Sequence, residues 1–149
     1  MKASWINAFG KMTYGIYVLT SCYRDQINGM IASWVSQVSY DPPLIMAAVH
    51  TRRYTHRLIE KGRYFALHVL DDSCTDYLAR FKGSDPDAKF DSLDWRPGKN
   101  GCPILRDCLA YFECKVETQI QPGNHTLFIG EVVDAAGFGR DVALSTLDV

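Results

Sequence analysis

The stretch Leu109-Ala110-Tyr111-Phe112-Glu113-Cys114-Lys115-Val116-Glu117-Thr118-Gln119-Ile120-Gln121 decides the fold class. Ala110, Phe112, Cys114, Val116 and Ile120 alternate with Tyr111, Glu113, Lys115, Glu117 and Gln119, which places one set on a dry sheet face and the other in water. Pro122-Gly123-Asn124 turns the chain, and residues 125–133 return as the partner strand of a hairpin. Cys114 is in phase with the apolar set and is expected in the core as a free thiol.

Working outward, residues 14–20, 27–35, 44–49 and 65–70 are β-branched, aromatic or apolar runs without helical spacing and read as further strands. Asn28-Gly29 is a hairpin signal on its own, but it follows the polar turn 22–26 so closely that it reads as strand entry or a bulge. Asp41-Pro42-Pro43 breaks the ladder, since two prolines remove two donors. The spacing of Tyr54, Leu58 and Ile59 predicts a helix over 51–61, with Gly62 ending it. A second short helix is expected over 73–81, capped by Ser73. Residues 82–103, rich in Gly, Pro, Asp and Ser, read as a long loop anchored by Phe90, Leu93 and Trp95. Residues 135–149 read as a tail or arm of a single domain spanning 1–149.

The 149 residues, 47% of them hydrophobic and 12% aromatic, suffice for one core without staples. With 16 basic against 17 acidic residues, no overall field argues for nucleic acid or an anionic membrane as partner. No run reaches the length of a membrane span and the first residues lack a signal-peptide core, so a cytoplasmic location is the expectation. Cys22, Cys74, Cys102, Cys108 and Cys114 are odd in number and contain no C-x-x-C pair. That pattern argues against a disulfide framework and against a zinc or iron site. The phosphate-loop, dinucleotide, zincin and hydrolase signatures are likewise missing from the sequence.

Five segments remain: Thr13-Tyr14-Gly15-Ile16-Tyr17-Val18; Asn28-Gly29-Met30-Ile31-Ala32-Ser33; Ser36-Gln37-Val38-Ser39-Tyr40-Asp41-Pro42-Pro43; Phe65-Ala66-Leu67-His68-Val69-Leu70; and Gly123-Asn124-His125-Thr126-Leu127-Phe128-Ile129-Gly130-Glu131-Val132. In their order and spacing they resemble the flavin reductase-like family, including the flavoprotein half of high-molecular-weight rubredoxins. The resemblance covers roughly residues 8–134. It implies a mainly β fold with short helices, the FMN-binding split β-barrel, assembled as a homodimer.

By the same resemblance, FMN lies along Asn28, Met30, Ile31, Ala32, Ser33 and Trp34 and then Ser36, Gln37, Val38 and Ser39, with Ser33 the first choice for a polar contact. The phosphate falls to the strand-to-helix corner at Thr51, Arg52, Arg53, Tyr54 and Thr55, where free N–H groups and a guanidinium suit a dianion. His125 is the candidate catalytic residue, near the exposed face of the flavin, and the family more often carries Asp where Asn124 stands. Phe81, Lys82 and Trp95 are candidates for closing over the ring, on position alone. No metal site is expected. The activity implied is NAD(P)H-dependent flavin reduction, with NAD(P)H as electron donor. The alternative is an FMN electron-transfer module serving a rubredoxin or flavodiiron-type redox partner.

Overall fold

A computed structural model describes residues 1–139 and 142–149. The chain opens with helix α1 (Ala3–Phe9) and continues through strands β1 (Tyr17–Tyr23), β2 (Gln26–Ala32), β3 (Val35–Ser39) and β4 (Leu44–His50). Helix α2 (Tyr54–Gly62), strand β5 (Tyr64–Val69) and a 3₁₀ turn at Asp72–Cys74 follow, then helices α3 (Asp76–Lys82) and α4 (Pro86–Phe90). Four strands complete the order: β6 (Trp95–Pro97), β7 (Pro103–Leu105), β8 (Ala110–Ile120) and β9 (His125–Gly137). The fold is mainly β with short helices, a split barrel. Seven antiparallel strands form one sheet in the order β2-β1-β5-β8-β9-β4-β3, and β6 pairs only with β7. The sheet's two edges, β2 and β3, are consecutive in the chain and unpaired with each other, and there the barrel is split.

Alternation along each strand sends one set of side chains inward. Leu19, Met30, Ala32, Ala47, Val49, Phe65, Leu67, Cys114, Val116 and Phe128 form the interior, with Ile59 of α2 packed among them. A second cluster lies outside, where α3 and α4 bring Tyr77, Phe81 and Phe90 against Val18 and Leu70. Gly29 stands in the middle of β2, and a Cβ there would approach the Phe81 ring to 2.7 Å. The Asn28-Gly29 pair is therefore strand, as expected, and its glycine is required by a close-packed ring rather than by a turn. Gly62 is also a packing glycine: a Cβ would collide with the Cys22 carbonyl oxygen, and it is Arg63, at φ +67°, that ends α2.

Several local expectations are corrected. The run 27–35, read as one strand, ends at Ala32, and Val35 already begins the edge strand β3, whose Ser36, Gln37 and Val38 are exposed and give no alternation to read. Asp71, not Ser73, caps the turn before α3, its carboxylate accepting from the Ser73 amide at 2.9 Å. The long loop contains α4 and the β6–β7 hairpin. That hairpin covers part of the face of β8 expected to be wet, so Tyr111 and Glu113 are buried while Lys115 and Glu117 stay exposed. Of the segment read as a tail, residues 135–137 extend β9, and Leu144 and Ser145 return to the body, Leu144 buried beside Ile16 and Ser145 bridging Gly15. Residues 140 and 141 of that segment lie outside the described residues. No helix among the described residues is long and apolar enough to cross a membrane.

Candidate functional site

Strand pairing assembles one end of the barrel from distant residues. His50 is opposite His125 across β4 and β9, and the Thr51 amide donates to the Asn124 carbonyl at 3.1 Å. Trp34, in the link between the two edge strands, accepts at its carbonyl from the Ala48 amide at 2.9 Å. Its indole, 48% exposed, lies tilted against His125 with ring centres 4.6 Å apart, Tyr14 is 6.3 Å from the indole, and His50 is 5.2 Å from His125. A half-exposed indole beside His125 offers apolar surface to a ligand. The His125 imidazole has its pKa lowered, by burial first and by neighbouring His50 second, so it is neutral and able to donate or accept at neutral pH. Its Nδ1 lies 2.8 Å from Asn124 Oδ1, an amide that orients the ring without a carboxylate's charge.

Beside these rings, α2 begins at Arg53. No side chain caps that helix and no acidic residue occupies its first turn, so no side chain compensates the positive end of its dipole. Beneath it lies a network that the sequence did not suggest. Asn28 Nδ2 donates to Thr55 Oγ1 at 3.0 Å, and Lys89 Nζ, from α4, donates to Asn28 Oδ1 at 3.0 Å and to the Gly29 carbonyl at 2.8 Å. Lys89 is 5% exposed, and among the described residues no carboxylate lies within ion-pair distance of it. Burial, and after it the charge of Arg53, push its pKa down, with Asp85 partly opposing. A buried ammonium, an exposed guanidinium and an uncapped helix N-terminus thus converge with two neutral hydrogen-bond partners: the signature of an anion site.

The expected residues divide accordingly. Ser33, Trp34, Arg52, Arg53 and His125 lie along this open end, and the exposed Ser36, Gln37 and Val38, with half-buried Ser39, form the adjoining edge. Met30 and Ala32 point into the barrel interior and Ile31 to its other face, so their side chains do not share one surface. Thr55 is fully buried in the Asn28 network, while Tyr54 is half-buried with the Arg57 guanidinium 6.0 Å from its ring. Phe81 and Trp95 both pack edge-on against Phe90, Phe81 being 1% exposed, and neither contacts Trp34 or His125. Lys82 is exposed at the end of α3. The one signal for Lys89 was its place before Phe90: an anchored aromatic pulls the preceding residue towards the core.

A cavity of about 910 Å³ lies elsewhere, lined by Tyr77, Arg80, Trp95, Arg96, Asp107 and Tyr111 among others. It does not include the Trp34 and His125 rings or the α2 corner.

A model of the flavin reductase like domain matches residues 9–143. Over 133 residues the chain is 34% identical to a high molecular weight rubredoxin of Moorella thermoacetica, covering 87% of this chain and 58% of that protein. It is also 34% identical over 133 residues to the FMN reductase (NADH) SmoA of Agrobacterium fabrum, covering 89% and 75% respectively. Among solved structures, the Streptomyces globisporus NADH:FAD oxidoreductase SgcE6, in complex with NAD and FAD fragments, superposes with a TM-score of 0.87 at 27% identity. That superposition covers 95% of this chain and 85% of the other.

Proposed function

From the premise that this chain belongs to the flavin reductase-like family, we propose that it is an NAD(P)H-dependent FMN reductase whose cofactor phosphate sits at the N-terminus of α2. The observation that carries the reading is Lys89, a cation buried without a carboxylate beside Arg53 and an uncapped helix start. Such an arrangement is uphill alone and is relieved by a dianion.

The residues present fit FMN: cationic groups for the phosphate, the Ser33–Ser39 edge for the ribityl chain, and Trp34 with His125 for the ring system. Bound there, FMN would supply the hydride acceptor for a nicotinamide. The protein's own work is to orient and to exclude. Trp34 offers an exposed ring for contact with the flavin, and His125, oriented by Asn124 Oδ1, stands beside it. Arg53, Lys89 and the α2 amides fix the anionic end, so the cofactor's register in the groove is set at both ends.

The fully exposed α1, with Trp5, Ile6 and Phe9 each more than half exposed, is an apolar surface that supports a homodimer. A monomer by light scattering with FMN bound would refute the dimer. A second reading, a tightly held FMN passing electrons to a separate redox protein, is favoured by the similarity to a high molecular weight rubredoxin of which this chain spans 58%.

Fluorescence titration with FMN and with riboflavin tests the site. Binding of FMN but much weaker binding of riboflavin is expected; equal affinities would remove the phosphate from the α2 corner.

A further inference from the structure

On the opposite side of β1 from the barrel interior, the chain from 98 to 105 is pinned to the sheet. Thr20 Oγ1 donates to the Pro103 carbonyl at 2.7 Å, and the Leu105 amide donates to His68 Nε2 at 3.1 Å. Between these pins and the end of the sheet, Cys22 of β1 meets Cys102, their sulfurs 3.0 Å apart. Both are free thiols, distant in sequence by 80 positions. We propose that Cys22 and Cys102 are a reversible redox pair, oxidised by hydroperoxides to a disulfide that locks the β6–β7 segment onto β1.

The geometry assigns the two sulfurs different roles. Cys22 is the more accessible, 7% exposed against 1% for Cys102, and it borders exposed Gly101, where even a Cβ would sit 3.6 Å from its sulfur. With no side chain there, a small oxidant has a path. Cys22 Sγ also donates to the Asn100 carbonyl at 3.3 Å, and its contact with Cys102 lowers its pKa against the opposing effect of burial. Cys102 is pushed far up by its contact with Cys22, by burial, and by the charges of Cys22 and Glu113. Cys22, the more accessible sulfur, is therefore the one a hydroperoxide reaches first, and Cys102 the thiol that resolves.

The chemistry balances. The Cys22 thiolate attacks one peroxide oxygen; an S–O bond forms, the O–O bond breaks, and the departing oxygen leaves as hydroxide or alkoxide and takes up a proton. Cys22 is then a sulfenic acid. The Cys102 sulfur attacks Cys22; the S–S bond forms, the S–O bond breaks, and the hydroxyl leaves as water with the Cys102 proton. Two thiols lose two electrons in all, and the hydroperoxide is reduced to water or an alcohol. Bringing the sulfurs to bonding distance takes a closure of roughly 1 Å, which the turn preceding β7 can supply. Cys74, Cys108 and Cys114 do not form the pair: Cys114 is fully buried in the barrel, and Cys74 and Cys108 have thiols raised chiefly by burial.

The test uses the wild-type protein, so it does not depend on any variant folding. After hydrogen peroxide, free thiols are alkylated and the unreduced digest is read by mass spectrometry. A peptide joining Cys22 to Cys102, lost on treatment with dithiothreitol, is expected. In Cys102→Ser, Cys22 should accumulate as a sulfenic acid that dimedone labels, and dimedone should label neither position in wild type once the bridge has closed. Oxidised wild-type protein in which Cys22 and Cys102 are both still alkylated, or are joined to other cysteines, would overturn the proposal. So would a Cys102→Ser protein whose Cys22 takes no dimedone.

Discussion

At Lys89 a buried ammonium is held by two neutral oxygens, those of Asn28 and Gly29, and lies beside further positive charge. Beneath the β6–β7 segment the buried carboxylate of Glu113 makes no hydrogen bond among the described residues, while the neighbouring polar groups Thr20 and His68 are each paired with backbone of the strap above them. Both regions bury polar atoms, but in opposite settings. The first adjoins a helix N-terminus and brings Lys89 and Arg53 near one another, the setting of the proposed phosphate site. The second is closed by the chain's own backbone, so its hydrogen bonds fasten a segment rather than await a ligand. What separates the two regions is access: the polar cluster at Lys89 adjoins an exposed helix start, whereas Thr20 and His68 are closed over by the segment they fasten.

The covered region should respond most strongly. Replacing His68 with Ala removes an acceptor from the buried Leu105 amide and a partner from the Val18 carbonyl, and should cost about 3 kcal/mol in urea denaturation. The same residue predicts a pH dependence. Burial lowers its pKa from 6.5 to about 4, with the bond to Val18 opposing. A base whose folded pKa is depressed contributes stability that is complete above the unfolded value. Stability should therefore fall as pH drops below 6.5 and level off near 4, a loss on the order of 3 kcal/mol that His68→Ala abolishes. An unchanged profile in the variant would show that His68 is not the group responsible.

Next comes the open region. Lys89→Met should weaken FMN binding by 1.5–3 kcal/mol, about ten- to a hundredfold, and leave riboflavin binding unchanged. Equal losses for both ligands would reduce Lys89 to a structural pin and erase the contrast. Arg53→Ala should weaken FMN several-fold, and Arg52→Ala less, since Arg53 is the N-cap residue of α2 and the residue whose charge reaches Lys89. The smallest effect concerns Glu113→Gln, which loses no hydrogen bond and should shift stability by less than about 1 kcal/mol, in the stabilising direction.

The β8–β9 hairpin was legible because alternation is a local property, and each residue's neighbours two positions away carry the pattern. Its covered half was not, because what buries Tyr111 and Glu113 is a hairpin drawn from another part of the chain. Strand β3 escaped for a related reason: at a sheet edge with both faces open, Ser36, Gln37 and Val38 need no alternation. Arg53 and His125 were candidates from a resemblance, and the structure places them at a helix start and a strand start at one end of the barrel. Lys89 was not a candidate, since a lysine in a short polar helix ordinarily points to water, and only the docking of Phe90 against Phe81 draws it inward. The Cys22–Cys102 contact joins positions that share no sequence spacing at all.

An absorbance spectrum of the protein after incubation with FMN and gel filtration, recorded before and after anaerobic NADH or NADPH, addresses the central claim directly. A retained flavin spectrum that bleaches with one of the nicotinamides is the predicted result. A protein that emerges colourless, or one whose flavin neither nicotinamide bleaches, would contradict the assignment as an NAD(P)H-dependent FMN reductase.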